Sequence, residues 1–127
     1  MNELQNSYTL FESIKHIDEN GCEYWYAREL QQVLSYSQWR RFENIIEKAK
    51  ISCENSKINV NDHFANVGKM IKLAKNAVRK IENYKLSRYA CYLIVQNANP
   101  KFKAVALGQT YFAVQTRRME LTEEEYI

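Results

Sequence analysis

A predominantly helical domain with a short strand, and hence an α+β fold, is what this sequence predicts, on three observations. Trp39, Phe42, Ile46, Ala49 and Cys53 recur at steps of three and four, the period of a helix with one buried stripe. Three consecutive aromatics, Tyr24, Trp25 and Tyr26, favour a strand instead. The chain has 127 residues, 46% of them hydrophobic, with one Pro and three Gly, so it can build one core and carries few breakers. Residues 1–127 are therefore expected to form a single domain, with at most a weak boundary near residues 55–62.

Taken in order, Tyr8, Leu10, Phe11, Ile14 and Ile17 line one side of a short opening helix, which Asn20 and Gly21 would end. The strand over Glu23 to Tyr26 follows. Helical character resumes from Ala27 to Leu34, with Leu30, Val33 and Leu34 facing inward, and Ser35 to Ser37 forms the break. The long helix around Trp39 to Cys53 shows Arg40, Arg41, Glu43, Glu47, Lys48 and Lys50 on its other face, a mixed-sign pattern that suits solvent. Polar residues 55–62 make an exposed connection.

Met70, Ile71, Leu73, Ala74, Ala77, Val78 and Ile81 fit a helical stripe, but Met70 to Leu73 and Val78 to Leu86 also fit two strands joined around Ala74 to Ala77. Pattern alone favours the helix, because Ala and Lys fill the would-be turn. Ser87 suits the cap of a helix reaching about Asn97 and burying Ala90, Cys91, Leu93 and Ile94. Asn97 to Pro100 is a loop, and Pro100 can start the next element. Ala104 to Glu120 then places Val105, Gln109, Phe112, Thr116 and Met119 on one stripe, flanked by Leu107, Tyr111 and Val114. Thr122 and Glu125 match a capping box, so a further helix is expected there, as in a chain that continues.

Charge is distributed unevenly. The formal total is +3, yet residues 1–39 balance at −4, residues 69–118 at +10 and residues 119–127 at −4. The basic segment holds Lys69, Lys72, Lys75, Arg79, Lys80, Lys85, Arg88, Lys101, Lys103, Arg117 and Arg118 against Glu82, with Tyr84, Tyr89, Tyr92 and Tyr111 among them. A polyanion is the first partner such a segment suggests. Arg79, Lys80, Lys85 and Arg88 suit phosphate contacts, and Tyr84 or Tyr89 could add a hydroxyl or a stacking face. Arg117 and Arg118 form a second candidate cluster, or equally a favourable pair at a helix C-terminus. Trp25, Trp39, Phe42 and Phe112 stand at apolar-periodic positions and read as core.

No enzyme motif is present. The chain has no phosphate-binding or dinucleotide glycine loop, no GxSxG and no HExxH. Asp62 and His63 are adjacent and so do not share a helical face. Tyr84, Lys85 and Ser87 lack a partnering base, and a metal-dependent nuclease would need acids such as Asp62 or Glu120 brought in from outside the basic segment. Cys22, Cys53 and Cys91 are odd in number and widely spaced, which argues against a disulfide scaffold, and neither they nor His16 and His63 show metal-ligand spacing. No cofactor or metal is expected. Cys91 reads as a buried small hydrophobe. The lack of a basic-then-apolar leader and of any membrane-length apolar run predicts a cytoplasmic protein.

Several segments in order resemble the DNA-damage-inducible protein D family, a bacterial relative of the BRO-N domain found in phage antirepressors and baculovirus repeated proteins. They are Tyr24 to Leu30, Leu34 to Phe42, Asp62 to Phe64, Leu86 to Leu93 and Gln109 to Arg118, within a similarity running from about Tyr8 to Glu120. The resemblance implies a BRO-N-like α+β domain, predominantly helical with a small antiparallel sheet or hairpin, and favours strands over residues 67–86. Two departures stand out. Ser35 replaces the usual Gly of that pattern, and Ala74 to Ala77 lacks the family's turn glycines.

Function follows from both lines. The leading expectation is a non-enzymatic DNA-binding or regulatory module of the bacterial DNA-damage (SOS) response or of a mobile element, the N-terminal part of a longer protein. Its contacts would be Arg79, Lys80, Lys85, Arg88, Tyr89, Lys101, Lys103, Arg117 and Arg118, on single- or double-stranded DNA. The alternative is an antirepressor-like protein-interaction domain whose basic surface meets an acidic regulatory protein. A nuclease ranks third, and a homodimer would add avidity for DNA.

Overall fold

The computed structural model describes residues 9–125. A helical turn at residues 9–12 (α1) leads into a hairpin of β1 (His16–Ile17) and β2 (Glu23–Tyr26). Helices α2 (Ala27–Val33) and α3 (Trp39–Asn55) follow. Four short strands come next, β3 (Phe64–Asn66), β4 (Lys69–Lys72), β5 (Val78–Ile81) and β6 (Tyr84–Leu86), then α4 (Arg88–Asn97) and α5 (Lys103–Glu125). The strands make a four-stranded antiparallel sheet in the order β1-β2-β6-β3 and a separate ribbon of β4 with β5.

Strand alternation sorts the sheet residues onto two faces. Trp25 and Phe64 both pair with Leu86, and all three point into a core shared with α2 to α5. There Trp25 meets Phe112 edge-on at 5.4 Å, and Phe11 lies against both Tyr111 and Phe112. Trp25 Nε1 donates to the Phe11 carbonyl at 3.1 Å, which satisfies a buried donor and ties α1 to the sheet. The opposite sheet face carries His16, paired with Tyr24, and Tyr26, paired with Lys85.

Much of this follows the local pattern. Strand β2 occupies the aromatic run, and α3 buries Phe42, Ile46, Ala49 and Cys53, with Trp39 half-buried at its edge. Ser87 caps α4, accepting from the Ala90 N–H at 3.1 Å; Ala90, Cys91 and Ile94 are buried, whereas Leu93 is partly exposed. Burial pushes the Cys91 thiol well above its usual pKa, as a small core hydrophobe requires.

Elsewhere the structure differs. The opening helix stops early and His16–Ile17 form a strand, because Gly21, at φ +81°, and Asp18, whose Oδ1 accepts from the Asn20 and Cys22 N–H groups, close a β-hairpin instead. Residues 70–81 form the β4–β5 ribbon rather than a helix. Helix propensity is a weak preference, and the two strands extend the pairing of β3 with β6. Ser35 holds φ +70°, so it takes the left-handed backbone usual for Gly and bears its strain. Helix α5 runs unbroken through Thr122 to Glu125, so no new helix starts there, and Arg117 and Arg118 stand away from a C-terminal turn. Tyr8 and the side chains of Thr116, Met119 and Glu120 lie outside the described residues. No helix among the described residues is long and apolar enough to cross a membrane.

Candidate nucleic-acid interface

Strands β4 and β5 form an arm that packs chiefly on itself. Lys69 lies opposite Ile81, Met70 opposite Lys80, Ile71 opposite Arg79 and Lys72 opposite Val78. One face therefore shows Lys69, Ile71, Arg79 and Ile81, and the other Met70, Lys72, Val78 and Lys80. Lys69, Lys72, Arg79 and Lys80 are all exposed, as are the apolar Met70 (63%), Val78 (55%) and Leu73 (47%). Between Lys69 and Ile81 the arm has five cations, Lys75 at the tip included, and no acid. Its turn is closed by the Leu73 N–H donating to the Ala77 carbonyl at 2.7 Å, with Lys75 and Asn76 both left-handed. Two non-glycine residues thus take the left-handed backbone that glycine adopts at lower cost.

The arm's base is fixed at Asn83. Its carbonyl accepts from the Val67 and Gly68 N–H groups, and Gly68, at φ +66°, bends the ribbon there. The buried Asn83 side chain accepts from the backbone N–H groups of Arg28 and Tyr84, each at 3.0 Å. Arg28 in turn donates from Nε to the Glu82 carbonyl at 2.8 Å and stacks 3.8 Å over the Trp39 ring. Burial lowers the Arg28 pKa from its ordinary value, leaving a guanidinium that stays charged. Trp39 Nε1 donates to Glu43, whose carboxyl is raised in pKa by hydrogen bonding with Glu82, while Glu82 is correspondingly lowered.

Beside this base, the open face of the sheet carries an aromatic group. His16 stacks on Tyr24 at 5.3 Å and meets Tyr26 edge-on at 4.9 Å, and Lys85 Nζ lies 4.2 Å over the Tyr24 ring. His16 Nε2 donates to Glu29 at 2.6 Å.

The nine sequence-derived contact residues fall in separate places. Arg79 and Lys80 lie on the arm, and Lys85 on the neighbouring sheet face. Arg88, at the start of α4, is turned inward: its Nε donates to Glu23 Oε1 at 2.7 Å, its Nη2 meets the second oxygen, and it lies over Trp25. Burial opposes the Arg88 charge, but Glu23 more than restores it and the pKa is raised. Tyr89 is half-buried against His63, which hydrogen-bonds with Ser87 at 2.6 Å. Tyr84, considered above as a stacking face, is buried and bonded to Lys50. Lys101 and Lys103 are exposed at the α4–α5 corner, and Arg117 and Arg118 are exposed on α5.

Sequence reasoning weighted Lys69, Lys72 and Lys75 as bulk charge and overlooked Arg28 and Asn83. The lysines' spacing carried the signal once residues 69–81 are paired as strands, whereas nothing local marks Asn83. Among the described residues no group of three or more His, Cys, Asp and Glu side chains converges as a metal site.

Residues 13–113 match the BRO family, N-terminal domain. The chain is also 50% identical over 115 residues to the DNA damage-inducible protein D of Escherichia coli (strain K12), an overlap that covers 91% of this chain and 42% of that protein's length. No solved structure matches the chain significantly.

Proposed function

The chain belongs to the BRO family as a member of its N-terminal domain class, and on that premise we propose that it is a non-enzymatic DNA-binding regulatory module acting in the bacterial DNA-damage response or on a mobile element, with residues 1–127 working as one domain of a longer protein. The observation that carries this reading is the β4–β5 arm, exposed on both faces and bearing Lys69, Lys72, Lys75, Arg79 and Lys80 with no acid among them. A two-stranded ribbon has the width to lie along a nucleic-acid groove, and its long cationic side chains reach phosphates on either side. The relative's name, DNA damage-inducible protein D, supports the setting.

Arg79 and Lys80 are the primary contacts, joined by Lys69, Lys72 and Lys75. Lys85 contributes from the sheet, and Lys101, Lys103, Arg117 and Arg118 add more distant positive charge. Arg88 and Tyr89 act from within, by holding the start of α4 in place.

Fluorescence anisotropy against DNA over a salt series tests this. If all five arm cations are engaged, log affinity falls against log salt with a slope of about −4 to −5. A variant with Lys69, Lys72, Arg79 and Lys80 changed to Gln should bind more weakly, with a slope shallower by about 3 to 4, while melting as the wild type does. An unchanged slope in that variant removes the arm from the interface. The second reading, an acidic regulatory protein as partner, draws on Met70, Leu73 and Val78 exposed beside the same cations. It gains ground if no DNA binds near 0.1 M salt, where phosphate-driven binding is still strong.

A further inference from the structure

The arm explains affinity for a phosphate chain, whereas the cleft at its base has the chemistry to hold a base. This cleft, about 400 Å³, opens between the exposed sheet face and the start of β4. Tyr26 and His16 form one wall, Lys69 lies on the arm side, and Glu29, Arg28 and Asn83 also line it. Arg28 and Asn83 are engaged with each other and with the ribbon, which makes that side of the cleft stiff. Glu29 is 42% exposed, His16 37% and Tyr26 half-buried, so the aromatic wall and the Glu29 oxygen that His16 does not engage can meet a ligand.

Each feature matches a part of one nucleotide. The rings offer a stacking face, Glu29 accepts from an exocyclic amino group, and Lys69 lies where the cleft meets the row of arm cations. The volume is at the lower end of small-ligand pockets, suited to one nucleotide rather than a duplex. A paired base keeps both its faces and its edge occupied inside the helix, so only an unpaired base can enter. Resting on the DNA-binding reading above, we propose that this cleft seats a single unpaired base, with Tyr26 as its stacking partner, so that the domain prefers single-stranded to duplex DNA.

The experiment compares three probes at one salt concentration: a single strand with bases, an abasic strand of equal length, and a duplex. The wild type should prefer the base-bearing strand to the abasic one by about tenfold or more, the worth of one base–aromatic stack. Tyr26→Leu should remove that preference while leaving affinity for the abasic strand unchanged, and Tyr26→Phe, which keeps the ring, should retain it. A strand carrying a fluorescent adenine analogue, whose emission falls on stacking, reads the same contact in the wild type and decides the matter if Tyr26→Leu does not fold.

Equal affinity for the two single strands, unquenched emission, or a preference that survives Tyr26→Leu in a folded protein overturns the cleft and leaves the arm's phosphate contacts standing. Failure of the wild type to bind any of the three probes overturns both.

Discussion

Asn83 caps helix α2 from 55 residues further along the chain, its Oδ1 accepting from the Arg28 backbone N–H at 3.0 Å. The residue at the usual capping position, Tyr26, makes no such side-chain bond. The same oxygen also accepts from Tyr84, so one buried amide joins the helix, the sheet and the arm. Asn83→Ala should cost about 1–2 kcal/mol, because two backbone donors lose their acceptor. Urea denaturation measures this, and faster amide exchange at Arg28 and Tyr84 would place the loss at the cap. An unchanged midpoint would mean that water serves these groups equally well.

Arg88 is expected to matter for stability before it matters for binding. Its two bonds to Glu23 lie against Trp25, and its side chain is 12% exposed. Arg88→Met should destabilise by about 2–3 kcal/mol, within the range for hydrogen bonds to charged groups. Arg88→Lys recovers little of this, since an ammonium cannot make the paired contact. DNA affinity lost at full stability would instead put the guanidinium on the interface.

At Gly108, in the middle of α5, an added methyl would come within 3.0 Å of Phe11 and 3.1 Å of Val95, both fully buried. Ala improves helix propensity by about 1 kcal/mol, but crowding in a close-packed core costs roughly 1–3 kcal/mol. Gly108→Ala is therefore expected to lower the melting temperature. A rise would show that the Phe11 ring yields without cost.

Lys75→Gly separates the shape of the arm from its charge. Relief of a left-handed non-glycine residue should stabilise the turn by about 1 kcal/mol, or roughly a fivefold slowing of amide exchange at Leu73. The same change removes one cation, so the salt slope of DNA binding should become shallower by about 0.9. Exchange at Leu73 that stays the same or quickens would count against turn strain.

Glu43 and Glu82 give a pH signature. Hydrogen bonding with Glu82 raises the Glu43 pKa, so the folded state favours its protonated form. That stability is complete below the ordinary Glu value of 4.5 and is lost as pH rises through the raised folded value. Glu43→Gln stays neutral throughout and still offers an oxygen to Trp39, so it should melt higher than the wild type at pH 7. Glu82 is exposed and Glu43 half-buried, so solvent screening keeps the gain small, and it should shrink as the medium is acidified. Glu82 opposes the trend, since its lowered pKa gives stability that is present above the ordinary value and fades as pH falls.

Helices α3 and α4 were legible because each buries one stripe: Phe42, Ile46, Ala49 and Cys53 in one, Ala90, Cys91 and Ile94 in the other. Ser87 was legible as a cap because its partner, Ala90, is three residues away. Strand β1 was not, since two residues show no period and the Leu10, Phe11 and Ile14 stripe runs straight into it. The arm was misread by pattern for a related reason. With both faces exposed it has no buried side to impose alternation, so Ala74 and Ala77 tipped the balance towards helix until the family resemblance favoured strands.

The candidate site divides along the same line. Sequence by itself determined the concentration of positive charge between Lys69 and Arg118, the helical elements with one-sided burial, and the family pattern that joins them. Tertiary structure alone decided which charges face outward. Arg79 and Arg88 look alike in the sequence, yet one stands on the arm and the other meets Glu23, 65 residues away. Tyr26 and His16 likewise share a cleft with Lys69 only because β1, β2 and the arm's base are brought together. Periodicity and capping act over one or two helical turns and leave a local trace. Ion pairs, remote caps and clefts join residues that only the folding of the whole sheet makes neighbours, and no local pattern records them.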